Sequence, residues 1–306
     1  MPAIITFSHI FHKMHSTSSG PANFFALCAI ALWALLAWLG ISLSHVPPFL
    51  LTGVGLLVGS LIALPLSWRG GKLDLSGWKM PLSSLLLGVY GLFGFHFLLF
   101  IALRHSPPVQ ANLVNYLWPL GMVVMAPLFL PGVKLSAMHL LAACIGFAGA
   151  CIAILGSAGA NSSEGFAWGY IPALGSAFIW ASYSLLTKRL ALQGKSFATA
   201  AIGLFGLVSG LLSLACHAFL EARVSLSGQD VMLLIAMGLG PLGAAFYLWD
   251  AALKRGDARQ IGILSYITPL ASTALLLILT GQPLTWSIGL AAALIIGAAV
   301  LGTRAN

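Results

Sequence analysis

The stretch PPVQANLVNYLWPLGMVVMAPLFL, residues 107–130, decides the fold of this chain. It contains no Asp, Glu, Lys or Arg, and it is longer than the roughly 20 apolar residues that a helix needs to cross a bilayer core. The stretch ARQIGILSYITPLASTALLLILT, residues 258–280, repeats the pattern 150 residues later, so that Tyr116 matches Tyr266 and Pro119 matches Pro269. The first stretch predicts a membrane span, and its recurrence predicts a duplicated membrane protein.

The composition of the whole chain agrees with a membrane location. Hydrophobic residues make up 59% of the 306 residues and charged residues only 7%, against roughly 25% charged in soluble domains. This excludes a soluble enzyme, a disordered protein and a secreted disulfide scaffold. The net charge of +8 would suggest nucleic-acid binding in a soluble protein. Here the charges flank apolar stretches, so we interpret them as topology signals and expect no nucleic-acid partner.

Ten apolar segments are long enough to span the membrane, so we predict an all-α integral membrane protein. The predicted spans are 23–39, 47–68, 81–103, 107–130, 137–156, 165–187, 196–220, 230–253, 258–280 and 285–303. Residues 1–22 are polar and are predicted to form a disordered cytoplasmic tail. The rest of the chain divides into a first five-helix unit over 23–156 and a second over 165–303.

The basic residues favour an orientation with both termini in the cytoplasm. With the N-terminus inside, only Arg104 and Arg223 of the fourteen Lys and Arg residues fall in outer loops. An excess of Lys and Arg in the cytoplasmic loops is the positive-inside signal.

Further matches between the halves support the duplication. Leu32-Trp33-Ala34 corresponds to Ile179-Trp180-Ala181, and Gly55-x-x-x-Gly59 corresponds to Gly206-x-x-x-Gly210. Because five is an odd number, the second unit enters the membrane from the opposite side. Inverted repeats of this kind build secondary transporters, in which exchange of conformation between the halves moves a central site from one side to the other.

Two repeats of five helices, with Trp33 and Trp180 in the first helix of each and with the Tyr-x-x-Pro pairs at 116–119 and 266–269, resemble the EamA family of the drug/metabolite transporter superfamily. Phe95-His96 and Asn-Tyr-Leu-Trp-Pro at 115–119 are most similar to the amino acid exporters of that family. The resemblance covers nearly all of residues 23–303. It implies a multi-pass inner-membrane exporter with broad selectivity for neutral and aromatic amino acids.

The scarcity of charged residues inside the predicted spans limits the chemical class of the substrate. Asp250 is the only acid well inside a predicted span, and it lies four residues before Lys254, which favours an ion pair over a gate or a proton site. No Lys or Arg lies deep in a span, so a phosphorylated substrate would lack a counter-charge. The substrate is therefore expected to be small and neutral, zwitterionic or aromatic.

Central polar and aromatic side chains are the candidate substrate ligands. His96 lies about 12 Å from the outer end of span 3 at 1.5 Å per residue, either as a core histidine or as a donor to the substrate carboxylate. Trp33, Trp118 and Trp180 occupy central depths, and they either pack the bundle or form a wall for the substrate side chain. Further candidates for polar contacts are Asn115, Tyr116, Ser265 and Tyr266.

Pro119 and Pro269 are the candidate hinges. Each lies mid-helix and removes one backbone hydrogen bond, and the freed carbonyl is tolerated in a membrane where it lines a cavity. A substrate ammonium group is a suitable partner for such a carbonyl.

The sequence thus predicts a transporter that exports amino acids by alternating access, without cofactor or metal. We expect amino acids as substrates, membrane lipid as surroundings and a monomer. A membrane enzyme would need paired acids or a His/Asp cluster at one depth, which the sequence lacks. A channel would need a continuous polar stripe, and the central apolar and aromatic residues argue against one. The remaining alternative is an efflux transporter for aromatic cations, drugs or other small metabolites on the same fold.

Overall fold

The computed structural model describes residues 19–158, 167–280 and 285–305, which fold into a bundle of ten spans. In chain order these are span 1, Ser19–Ala34 and Leu36–Ser42; span 2, Pro48–Ser60 and Ala63–Leu66; span 3, Leu82–Val89, Tyr90–Gly94 and Phe95–Arg104; span 4, Pro108–Asn115 and Trp118–Phe129; span 5, Ala137–Ala158; span 6, Tyr170–Leu192; span 7, Thr199–Ala201 and Ile202–Leu220; span 8, Gly228–Leu239, Gly240–Ala244 and Ala245–Arg255; span 9, Ala258–Leu264 and Ile267–Thr280; and span 10, Trp286–Arg304. The predicted all-α membrane class is confirmed, and nine of the ten helical spans in the described residues are long and apolar enough to cross a membrane.

The bounds differ from the predicted ones at several ends. Span 1 is helical from Ser19, the first described residue, whereas the predicted span began at 23. Most of the predicted tail, residues 1–18, lies outside the described residues. Span 2 ends at Leu66 because the chain then turns into a short hairpin, Trp68–Arg69 paired with Lys72–Leu73. Gly70 and Gly71 form its turn with φ of 55° and 78°, the left-handed conformation that glycine adopts without strain.

Span 6 differs in character from the other nine. Among the described helices, nine are long and apolar enough to cross a membrane by length and composition, and Tyr170–Leu192 is the one span not among them. It has 23 residues, but hydroxyl side chains lower its hydropathy. Its serines Ser176, Ser182 and Ser184 are buried in the bundle, so these polar groups face protein and not lipid.

The two halves of the chain are interleaved and not set side by side. Span 1 packs on span 8 and span 6 on span 3, which are equivalent pairs when the repeats are exchanged. Span 2 packs on span 7, span 5 on span 10, and span 4 on span 9. Each of these contacts joins one helix from either half, as expected for two inverted copies around a common axis.

Glycines allow spans 2, 7 and 8 to approach closely. A Cβ atom on Gly206 would lie 3.1 Å from the carbonyl oxygen of Leu56, and one on Gly59 would lie 2.7 Å from the Cα atom of Gly243. The predicted Gly-x-x-x-Gly motifs therefore serve helix packing, where small residues let backbones meet.

Spans 4 and 9 are broken at equivalent places. The helix of span 4 is interrupted at 116–117 and that of span 9 at 265–266, in each case just before the proline that cannot donate a backbone hydrogen bond. Pro119 and Pro269 are buried or partly buried next to these breaks. The predicted irregularity at both prolines is present in the structure.

Spans 3 and 8 each contain one π-helical turn. The turns are Tyr90–Gly94 and Gly240–Ala244, which are 150 residues apart and therefore equivalent in the two repeats. A π turn widens the helix by one residue and is frequent at functional sites. Both turns lie immediately before the half-helices that enter the centre of the bundle.

Candidate functional site

Four tryptophans meet at the centre of the bundle. The ring centroids of Trp33 and Trp249 are 5.1 Å apart, those of Trp118 and Trp249 5.6 Å, and those of Trp33 and Trp180 5.8 Å. Trp180 lies 6.3 Å from both Trp118 and Trp249. None of the four is more than 9% exposed. The indoles come from spans 1, 4, 6 and 8, so both repeats contribute to one aromatic site.

Phenylalanines extend this group. The Phe95 ring lies 5.3 Å from Trp180, and the Phe246 ring lies 5.7 Å from Trp180 and 6.2 Å from Trp33. We call these two phenylalanines and the four tryptophans the aromatic cluster. Such edge-on and tilted rings present a large apolar surface that can contact an aliphatic or aromatic side chain.

His96 adjoins the aromatic cluster from span 3. Its ring lies 5.1 Å from Phe95 and 6.3 Å from Phe246, and the residue is 8% exposed. Its Nδ1 atom lies 2.6 Å from the carbonyl oxygen of Leu92, which belongs to the π turn. Because a carbonyl oxygen only accepts, Nδ1 carries the hydrogen, and Nε2 is then an acceptor in the neutral ring and a donor in the charged ring. The ring can therefore contact a substrate through Nε2.

The other predicted polar ligands lie at different places in the bundle. Asn115 lies beside the break in span 4, where its Oδ1 atom accepts a hydrogen bond of 2.8 Å from Ser176 of span 6. Tyr116 is half-buried in the same break. The Ser265 hydroxyl donates at 2.5 Å to the Gly262 carbonyl of its own helix.

Tyr266 lies away from the aromatic cluster. It is fully buried, its ring is 6.4 Å from that of Phe147, and a Cβ atom on Gly146 would lie 2.5 Å from the Tyr266 ring. Both of these neighbours belong to span 5. The structure therefore brings His96, Trp33, Trp118 and Trp180 together but places Tyr266 at the packing of spans 5 and 9.

Trp249 and Phe246 are members of the aromatic cluster that the sequence did not single out. The Trp249 indole nitrogen donates to the Ser184 hydroxyl at 3.2 Å, which fixes the plane of its ring. Phe246 lies 150 residues after His96, so the two occupy equivalent positions and face each other across the repeats. Repeat symmetry applied to His96 is the signal that could have found Phe246.

The electrostatics of the aromatic cluster depend on the charged residues next to it. Asp250 follows Trp249 directly, but its Oδ2 atom accepts hydrogen bonds from Lys254 at 2.6 Å and from Thr199 at 2.7 Å. This is the ion pair expected from the spacing. Within the described ranges, no group of three His, Cys, Asp or Glu residues is placed to hold a metal ion. The aromatic cluster is therefore suited to a ligand with a large apolar part.

Comparisons with known proteins agree with the fold. The model of the EamA-like transporter family matches the chain twice, over residues 20–155 and 167–304. A protein of Ancylobacter novellus named aromatic amino acid exporter YddG is 37% identical, over 94% of this chain and 98% of that protein. A Salmonella typhimurium protein of the same name is 28% identical, over 88% of this chain and 92% of that protein. A solved structure described as "Crystal structure of protein" aligns with a TM-score of 0.84 at 37% identity, over 92% of this chain and 96% of that one.

Proposed function

The chain belongs to the EamA-like transporter family, and from this premise we propose that it exports neutral and aromatic amino acids by alternating access. It is a multi-pass membrane protein that moves a small molecule, without a chemical step on it. The names of the Ancylobacter novellus and Salmonella typhimurium relatives support amino acids as the substrate class.

The observation that carries the proposal is the position of the four indoles. They come from both repeats and converge where an inverted-repeat transporter binds its substrate. An aromatic or branched side chain inserted between Trp118 and Trp180 would exchange contacts between rings for contacts with the substrate. Stacking adds about 0.5–1.5 kcal/mol beyond the area buried, and so favours substrates with large apolar side chains.

The polar ends of an amino acid find partners beside the aromatic cluster. We assign His96 to the carboxylate on the basis of its position beside the aromatic cluster, and this contact requires the protonated ring, since Nε2 accepts in the neutral ring. We assign the ammonium group to backbone carbonyls near the break in span 4, where Pro119 cannot donate to the carbonyl of Asn115. Asn115 and Tyr116 lie at this break and position it, and Pro119 and Pro269 serve as hinges.

The proposed orientation places both termini in the cytoplasm of a bacterial cell, in the inner membrane. The basic residues of the loops support it, since Arg104 and Arg223 alone among the Lys and Arg residues would face the periplasm. We propose that the monomer is the transporting unit, because one chain supplies all the residues assigned to the site.

Counterflow in liposomes containing the purified protein tests the proposal. Vesicles are loaded with unlabelled phenylalanine, threonine or an aromatic quaternary ammonium ion, and the uptake of labelled phenylalanine is followed. We expect both amino acids to stimulate uptake over protein-free vesicles and the cation not to. Stimulation by the cation alone would replace amino acid export with efflux of aromatic cations, which aromatic cages also bind.

A further inference from the structure

We propose that the second halves of spans 3 and 8 are two gates, each hinged at its π turn and latched at its far end by a basic side chain. The gates are Phe95–Arg104 and Ala245–Arg255, and the latches are made by Arg104 and Lys254. This inference rests on the proposed alternating access but not on the identity of the substrate.

The hinges are equivalent in the two repeats. Tyr90–Gly94 and Gly240–Ala244 interrupt otherwise α-helical spans at positions 150 residues apart. The second turn is weakened further, because Pro241 has no N–H group and Gly240 adopts φ −93° and ψ −99°, outside the helical range. Sharp bends in helices occur at such π turns and prolines. Each span can therefore bend at its turn while its first half stays packed.

Each gate carries one side of the aromatic cluster. The Phe95–Arg104 gate bears Phe95 and His96 directly after its hinge. The Ala245–Arg255 gate bears Phe246 and Trp249, which contact the indoles of spans 1, 4 and 6. A tilt of either gate about its hinge would therefore separate rings that now touch and uncover the centre of the bundle from one side.

The latch of the first gate is a buried carboxylate. Arg104 donates to Glu221 at 2.7 Å, and the Glu221 side chain is only 1% exposed. The same carboxylate accepts from the backbone N–H groups of Phe49 at 3.1 Å and Leu50 at 3.3 Å, in the first turn of span 2. His217 of span 7 lies 2.9 Å from its second oxygen. Glu221 is thus fixed to spans 2 and 7, and Arg104 of the gate donates a hydrogen bond to it.

The latch of the second gate lies at the opposite end of the bundle. Lys254, the repeat equivalent of Arg104, donates to the Phe197 carbonyl at 2.7 Å and to the Asp250 carboxylate at 2.6 Å. Asp250 also accepts from Thr199 at 2.7 Å, so the gate is tied to the residues that begin span 7.

The two latches share a further feature. Arg104 lies over the Phe49 ring at 5.7 Å and Lys254 over the Phe197 ring at 4.5 Å, so each cation also contacts a phenylalanine in span 2 or just before span 7. Because spans 2 and 7 are packed together through glycines, they form the frame against which both gates close. In this structure both latches are made and the aromatic cluster is buried. Release of one latch opens the site to one side only.

Distances between spin labels test the gates without any substrate, so a negative result here leaves the transport proposal standing. In a variant lacking the native cysteines, one label pair at His105 and Arg223 reports on the first gate, and a pair at Arg255 and Lys195 reports on the second. Each gate is about 15 Å long at 1.5 Å per residue, so a tilt of about 20° moves its end by roughly 5 Å.

We expect Arg104→Gln to add a population roughly 5 Å longer to the first pair only, and Lys254→Gln to add one to the second pair only. Arg259→Gln is the matched control, since it breaks the ion pair with Asp257 outside both gates. Thr199→Val removes a tether without removing a charge, and it should shift the second pair alone even if Lys254→Gln folds poorly. Unchanged distances, or shifts of both pairs by either variant, would overturn the inference.

Discussion

His96 adjoins the aromatic cluster with an imidazole ring, whose two nitrogens can each donate or accept a hydrogen bond. Its Nδ1 atom is committed to the Leu92 carbonyl, so only Nε2 remains for a substrate. A histidine that merely filled space would not need a free nitrogen beside an apolar site. Replacing His96 should therefore lower transport if the ring binds substrate through Nε2, and should leave transport unchanged if the ring only packs in the core.

His96→Ala should lower phenylalanine transport roughly tenfold or more, because a hydrogen bond to a charged group contributes about 1.5–3 kcal/mol. The melting temperature should change little, since the bond to Leu92 lies within one helix. Transport into liposomes and thermal unfolding of the same preparation give both numbers. His105→Ala, at the exposed histidine directly after this span, is the control. Normal transport by His96→Ala would make the histidine a core residue.

Trp118→Ala and Trp249→Ala should each reduce the ratio of phenylalanine to alanine transport, by roughly two- to tenfold for the loss of one stacking partner. Simple loss of folded protein would reduce both substrates equally and leave the ratio unchanged. Trp286→Ala, which removes an indole that is 88% exposed, should not alter it. An unchanged ratio in Trp118→Ala would mean that this indole packs the bundle and does not contact the substrate.

At the scale of the helix, glycine residues allow particular spans to pack closely. A Cβ atom on Gly59 would lie 2.7 Å from the Cα atom of Gly243 and 2.9 Å from the carbonyl oxygen of Gly238. Both obstacles are backbone atoms of span 8, which cannot rotate away as a side chain can. Spans 2 and 8 must therefore separate if this glycine acquires a side chain.

Gly59→Ala should destabilise the protein by about 1–3 kcal/mol, the usual cost of overpacking. Gly289→Ala in span 10 is the matched control, because a Cβ atom there meets nothing within 4 Å and alanine is the better helix former. Thermal unfolding in one detergent compares the two variants. Equal melting temperatures would show that the bundle tolerates the added methyl group.

The sequence predicted the spans and the repeat, because apolar length and matched residues are local signals. It also predicted three of the four indoles, since central depth can be counted along a helix. It missed Trp249 because that residue lies near one end of span 8, and the inward position depends on the π turn before it. Tyr266 was a candidate for a polar contact, but in the structure its ring lies against Gly146 of span 5. Such directions depend on neighbouring helices, not on spacing.

At the scale of the whole molecule, the proposed orientation places both termini on the cytoplasmic side of the membrane. A fluorescent protein fused after Asn306 should fluoresce in the cytoplasm, while alkaline phosphatase at the same position should be inactive. The same two reporters inserted after Arg223 should give the opposite results, because that loop follows span 7. Active phosphatase after Asn306 would reverse the proposed orientation.

The polar character of span 6 has a consequence for the order in which the chain enters the membrane. Spans 3 and 4, against which span 6 packs, are synthesised before it, so its buried Ser182 and Ser176 find Tyr90 and Asn115 as hydrogen-bond partners on leaving the translocon. Span 1 must remain exposed to lipid until its packing partner, span 8, has been synthesised, and it is apolar enough to do so. Residues 167–306 expressed alone should therefore insert poorly and be degraded. Coexpression with residues 1–158 should restore their yield, as measured by immunoblotting of membranes.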